Sequence, residues 1–376
     1  SLRGGLEHRN STSIVLPRWG FRPRSAYERF LALTCHEYFH LFNVKRIHPA
    51  ALGPFDYNRE NYTRLLWAME GTTDYYAGLL LRRAGLFTPA RYLARLGEQV
   101  KRHLETPGRA HQSLEEASFD TWIDHYRPFE ETRNQSVNYY LKGALVSLAL
   151  DLHLRHETAN ARSLDHVLRR LWQEYGQQER GIPEGAYPGE VEAATGVPVG
   201  EFFSRYVEGT EELELPRFFR YAGFRLEPRE SPPGDGEEPA EPAGHLGLEL
   251  KRQGDRAQVT VALEGGPGAR AGLTPGDELV ALDGNRLTYE GVKDGLSRYA
   301  PGETVSVSFF RRGSLRELPV TLGRAPPEKW TVVAVPDALP GERQIAEDWL
   351  KTPWEELARL RPGAPRKGDP GPRHPP

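Results

Sequence analysis

Cysteine is almost missing from this chain: Cys35 is the single one in 376 residues. That excludes an internal disulfide framework and fits a reducing compartment, a lean toward the cytoplasm. The compartment nevertheless stays open. The chain starts at Ser1 rather than Met, inside what reads as an ordered motif, so the true N-terminus and any signal peptide are expected to lie outside it. Long apolar runs are also missing, and none approaches the roughly 20 residues that a membrane helix needs. An excess of one charge is missing too. Lys and Arg number 49 against 52 Asp and Glu, a net charge of −3, which gives no reason to expect a nucleic-acid partner. What is plentiful is core material, with 38% hydrophobic and 10% aromatic residues. The length suits two or three domains.

The pattern changes along the chain. Residues 1–226 are rich in Leu, Arg and aromatics with helical periodicity. Helices are expected over Ser25–Phe42, Thr63–Arg83 and Ser136–His156. Residues 227–243 (EPRESPPGDGEEPAEPA) cannot bury a core and read as a flexible linker. Residues 244–325 then show short alternating strands broken by Gly and Pro turns. Residues 326–360 read as an extension with a short helix near Gln344–Leu350, and 361–376 as a disordered, low-complexity tail.

One motif carries chemistry. His36-Glu37-Tyr38-Phe39-His40 is an H-E-x-x-H sequence. Four helical residues turn about 400° and rise about 6 Å, which puts both imidazoles on one face, converging on one ion. Glu37 beside them suits a general base that takes a proton from water. Two ordinary histidines on an amphipathic helix would spell the same letters, so a third ligand is required. Glu70, thirty residues after His40 on an aromatic-rich helix, is the best candidate. Glu60 is the rival, but its stretch DYNREN is turn-like. Asp74, one turn beyond Glu70, is placed to accept the distal N–H of a ligand histidine. Two histidines and one carboxylate leave a position open for water, the catalytic arrangement. Cys35 points about 100° away around the helix and reads as packing.

HEYFHLFNVKRIHP, LWAMEGTTDYYAGLLLRRAGL and SVNYYLKGALVSLALDLHLR together resemble the glycyl aminopeptidase family M61, gluzincin peptidases related to aminopeptidase N. The resemblance implies a mainly α, thermolysin-like zinc peptidase domain followed by a small β-rich PDZ-like domain. It also implies that a β-rich region belongs before residue 1. In that family's terms, Tyr140 of Tyr140-Leu141-Lys142-Gly143 would hydrogen-bond the oxyanion, with Tyr139 open as a one-residue alternative. Glu7 of Gly4-Gly5-Leu6-Glu7-His8 would grip the substrate's α-amine, although Leu6 and His8 depart from the relatives' Met and Asn. Lys45, Arg46 and His48 either face the cleft or form a solvated turn.

Leu246-Gly247-Leu248 resembles the carboxylate-binding loop of a PDZ domain, whose N–H groups cradle a peptide's C-terminus. Such a module either takes a C-terminal peptide ligand or serves only as a packing partner. The expected function is a zinc aminopeptidase with one Zn²⁺ and a peptide substrate, releasing small N-terminal residues such as Gly or Ala. The alternatives are a non-catalytic peptide-binding scaffold and an endopeptidase using the same site.

Overall fold

A helix without a polar face has to be central, and Tyr139–Glu157 is such a helix. Fifteen of its 19 residues are buried. Asn138 starts it by accepting the Leu141 N–H on its side chain. The computed structural model describes residues 4–230 and 243–360. Most of the expected linker and the expected disordered tail therefore lie outside the described residues. Around the central helix pack Thr72–Arg83, Pro89–Leu104, Leu164–Leu171 and Leu215–Tyr221. Pro89–Leu104 has an amphipathic pattern, a Thr88 cap that accepts from Arg91 N–H, and Pro89 in its first position.

Two expected helices change shape near the motif. The H-E-x-x-H helix runs Arg24–Phe39, with His40 as its C-cap residue. The Glu70 segment begins with a π-helical turn, Trp67–Gly71, before the α-helix Thr72–Arg83. Such wide turns are rare and frequent at functional sites. The N-terminal strands Gly4–Glu7 and Thr12–Val15 form an antiparallel hairpin, Glu7 opposite Thr12, which lies against the H-E-x-x-H helix.

The structure corrects the expected linker boundary and the expected C-terminal extension. Phe224–Arg229 is a strand paired antiparallel with Lys329–Ala334, Phe224 opposite Ala334. Residues 326–360 thus pack back onto the helical body and close it. Val332, Ile345, Trp349 and Leu350 join the same core as Leu148 and Leu152. The indole N–H of Trp349 donates to the Tyr75 hydroxyl at 3.0 Å. Arg155, 1% exposed, bridges Asp151 of its own helix and Asp348 of the last one. Apolar side chains of this size leave water only where a large core receives them, and that core belongs to the helical body.

The β-rich module is therefore an insertion. Its six-stranded antiparallel sheet has the order Ser314–Thr321, Thr304–Arg311, Glu278–Leu282, Arg256–Ala262 and Leu248–Gln253, with Asn285–Arg286 paired to Glu278–Leu282. Leu246, Val259, Val307 and Phe309 centre its separate core. A short helix, Val292–Leu296, lies between its strands. Among the described residues, Asn134 joins the module to the body by hydrogen bonds. Asn134 donates to Ala262 O at 2.9 Å and accepts from Glu264 N–H at 3.0 Å. Arg133–Glu249 and His111–Glu264 ion pairs flank that contact.

Candidate metal centre

His36 and His40 sit one turn apart on the Arg24–Phe39 helix and its cap, and the π turn delivers Glu70 to them. Their Nε2 atoms are 3.0 Å apart. Glu70 Oε2 lies 3.2 Å from His36 Nε2 and 3.3 Å from His40 Nε2. The outer nitrogens fix the tautomers. His36 Nδ1 faces Asp74 Oδ1 at 3.1 Å, and His40 Nδ1 faces the Asn43 carbonyl oxygen at 2.8 Å. Both acceptors require N–H on Nδ1, so both Nε2 atoms turn lone pairs inward. Two lone pairs and a carboxylate oxygen so close together repel unless a cation sits among them. The donor set fits a divalent metal such as zinc.

The local electrostatics run the same way. Burial lowers the His36 pKa, but Asp74 and Glu70 outweigh it and lift the value to about 10. Burial raises the Glu70 pKa, and the two imidazoles overcome that and pull it to about 2. The pocket holds positive charge, whether proton or metal. Asn43 braces it, donating to Ala68 O and Met69 O at 2.9 Å and to Thr73 Oγ1 at 3.1 Å. This tie between the end of the motif helix and the π turn has no local signature in the sequence.

Glu37 is 6% exposed, and its Oε2 has no hydrogen-bond partner among the described residues. Burial raises its pKa. Gly5 makes room for it, since a Cβ there would lie 2.1 Å from Glu37 Oε1. Glu7 stands on the same strand, with its Oε1 3.1 Å from Lys45 Nζ. Glu60 is exposed and outside the cluster. Cys35 packs against Ala32, Leu81 and Phe87, and burial pushes its thiol up to about 11.

Of the two tyrosines, Tyr140 faces the centre. Its ring stacks on His36 with centroids 6.2 Å apart. Tyr139 is 2% exposed and packs on His125 at 5.1 Å. Burial pushes both phenols well above their ordinary range, with Glu70 the next contributor at Tyr140, so both stay protonated donors. His125 itself, 5.7 Å from the Tyr140 ring, escaped the sequence reading. Burial lowers its pKa against the pull of Glu70. Its loop has no periodicity that could have flagged it.

In the inserted module, Leu246 is buried, Gly247 has φ +68° and Leu248 is half-buried. The Gly247 N–H already donates to His245 Nδ1 at 3.0 Å. Leu248–Gln253 is an edge strand.

An H-E-x-x-H helix with a distant carboxylate, built into a helical body, defines a metallopeptidase-type centre. Residues 29–146 match the family model described as M61 glycyl aminopeptidase. The fold is similar to the crystal structure of an aminopeptidase N family protein from Idiomarina loihiensis, 30% identical with a TM-score of 0.81. That match covers 93% of this chain and 60% of the other, so the chain spans less than two thirds of that protein. A stretch of 81 residues is 33% identical to a probable periplasmic serine endoprotease DegP-like from Hahella chejuensis, covering 21% of this chain and 17% of that protein. An HtrA-type protease, AlgW with decapeptide, is 26% identical over 23% of this chain and 30% of its own, at a TM-score of 0.22.

Proposed function

We propose that this chain is the catalytic part of a zinc-dependent aminopeptidase that releases small N-terminal residues from peptides. The observation that carries the reading is the convergence of His36 Nε2, His40 Nε2 and Glu70 Oε2 beside the unpartnered Glu37 carboxylate. Zinc held by those three groups would supply a Lewis acid and bring the pKa of a water in the open position to about 7.

The chain's own residues do the rest. Asp74 and the Asn43 carbonyl hold the two imidazoles in the ligating tautomer. Glu37 takes the water's proton on its free Oε2 and hands it to the leaving amine. Tyr140, kept protonated by burial, donates its O–H to the carbonyl oxygen as that oxygen becomes negative. Glu7 receives the substrate's α-ammonium on the carboxylate that Lys45 contacts from one side. Releasing Gly or Ala is the preference of the M61 family carried over to this chain.

The inserted module is read as PDZ-like, with a peptide C-terminus adding as a strand along Leu248–Gln253 and its carboxylate at Leu246-Gly247-Leu248. The His245 ring on the Gly247 N–H must then turn away when a peptide binds.

Metal analysis joined to a peptide screen tests the main reading. One zinc per chain and cleavage of Gly- or Ala-terminated peptides, with N-acetylated forms untouched, are expected. Equal cleavage of blocked peptides points to an endopeptidase, and a chain without metal or turnover to a scaffold.

A further inference from the structure

Next to the proposed zinc centre lies a second group of possible cation ligands, which shares His40 with it. Oxygens of Glu7 and Glu37 and a ring nitrogen of His40 all lie within 4.8 Å of one another. Glu37 is 6% exposed and its Oε2 has no hydrogen-bond partner among the described residues, so the group already contains a buried, unsatisfied carboxylate oxygen. Among the described residues its two carboxylates have one ion pair, to Lys45. Lys45, two positions past Asn43, places Nζ 3.1 Å from Glu7 Oε1, with both side chains about three-quarters buried.

Charge counting shows why that ammonium matters. Glu7, Glu37, Glu70 and Asp74 bring four negative charges around two neutral imidazoles. A dication at His36, His40 and Glu70 together with Lys45 offsets three of them. One negative charge remains at the Glu7–Glu37 end, and buried charge of that kind attracts a further cation.

We propose that Glu7 and Glu37 form a second, weaker divalent-cation site adjoining the first, and that the Lys45 ammonium keeps it closed. The inference rests on the zinc reading above. His40 has one free ring nitrogen, because Nδ1 is engaged with the Asn43 carbonyl, so it cannot serve both ions fully. The second ion is therefore held by the two carboxylates and must displace Lys45 from Glu7. Once bound, it ties up the general base and the amine-binding carboxylate together. Excess zinc then inhibits, in competition with the free amine of a substrate.

Calorimetric titration of metal-free full chain with Zn²⁺ tests this, with dissociation constants and stoichiometry as the readout. The wild type should take one tight ion and a second at least about a hundredfold weaker. Lys45→Met should tighten the second event about tenfold, the scale of one partly buried charge pair. Lys45→Arg should restore the wild-type value, and Glu7→Gln should abolish the second event while sparing the first. A second event unchanged in both Lys45→Met and Glu7→Gln overturns the proposal and leaves the zinc reading standing. A wild type with no tight first ion overturns both.

Discussion

Gly71 and Gly143 meet backbone to backbone. A Cβ on Gly71 would stand 2.5 Å from Gly143 Cα, and one on Gly143 would stand 2.8 Å from the Trp67 carbonyl oxygen. This contact presses the π turn that carries Glu70 onto the helix that carries Tyr140, so the glycine of Tyr-x-Lys-Gly sets the distance between ligand and phenol. Gly143→Ala should cost about 1–3 kcal/mol, as overpacking of a filled interior does. It should also lower turnover more than Ala substitutions elsewhere on the helix. Thermal unfolding and kcat measured together check it, and a variant with native Tm and native kcat refutes the spacing argument.

Removing the base and removing a ligand should separate cleanly. Glu37→Gln keeps the shape of the side chain and touches no Nε2, so metal content should hold while turnover nearly vanishes. His40→Ala should lose both. Asp74→Asn should weaken metal binding about 10–100-fold, because the His36 Nδ1–H loses a charged acceptor. Metal content after dialysis against graded chelator gives the answer, and Asp74→Asn with wild-type affinity would show that Asp74 does not orient His36.

The stacking of Tyr140 on His36 supports the proposed oxyanion role for its hydroxyl. Tyr140→Phe should drop kcat by about 10²–10³ with little change in KM. Tyr139→Phe, at a site 2% exposed, should register in Tm and leave kcat within a few-fold. The reverse outcome assigns the oxyanion role to Tyr139.

The charged pocket predicts a pH dependence for the metal-free protein. His36 titrates near 10 in the folded state, above its ordinary 6.5. Its contribution to stability is then complete below about pH 6.5 and is lost as pH rises toward 10. Glu70, held near 2 and below its ordinary 4.5, contributes above about pH 4.5 and loses that contribution as pH falls toward 2. Chelator-treated protein should therefore show its highest Tm between about pH 4.5 and 6.5 as far as this pair is concerned. Zinc affinity should climb with pH to about 10 as the competing proton leaves His36. His36→Gln should flatten the alkaline limb, and an unchanged limb in that variant argues against the pairing.

The inserted module should be dispensable for short substrates. Gly244–His245 pairs with Gly323–Arg324, so the two ends of the insertion lie side by side and a short loop can replace it. The strand pair Phe224–Arg229 with Lys329–Ala334 then still closes the body. Replacement should leave kcat/KM on a dipeptide-sized substrate within a few-fold and weaken only long peptides with a free C-terminus. An unfolded product, or lost dipeptide turnover, would mean that the Asn134 contact is needed for the body itself.

Local periodicity decides what can be read without a fold, and here it decided much. The i, i+4 spacing of His36 and His40 dictates a shared face wherever the helix goes. The same rule, applied to Glu70 and Asp74, put the carboxylate that faces both imidazoles and the acid that faces His36 Nδ1 on one side of the next helical segment. Apolar spacing announced the central helix, and the composition of residues 244–325 announced strands. What the spacing left open was every question about which surface meets which. Tyr139 and Tyr140 differ by one position, and only the packing of their helix brings one of them, Tyr140, onto the His36 ring. Trp349 and Ile345 were legibly apolar, yet nothing local says that their burial partner lies near Tyr75 and not in the adjoining sheet. Lys45 meets Glu7, Asn43 braces the π turn and His125 lies beside Tyr140 through contacts between segments far apart in sequence. Such contacts exist only once the chain has closed, because each depends on two local structures and on the angle at which they pack.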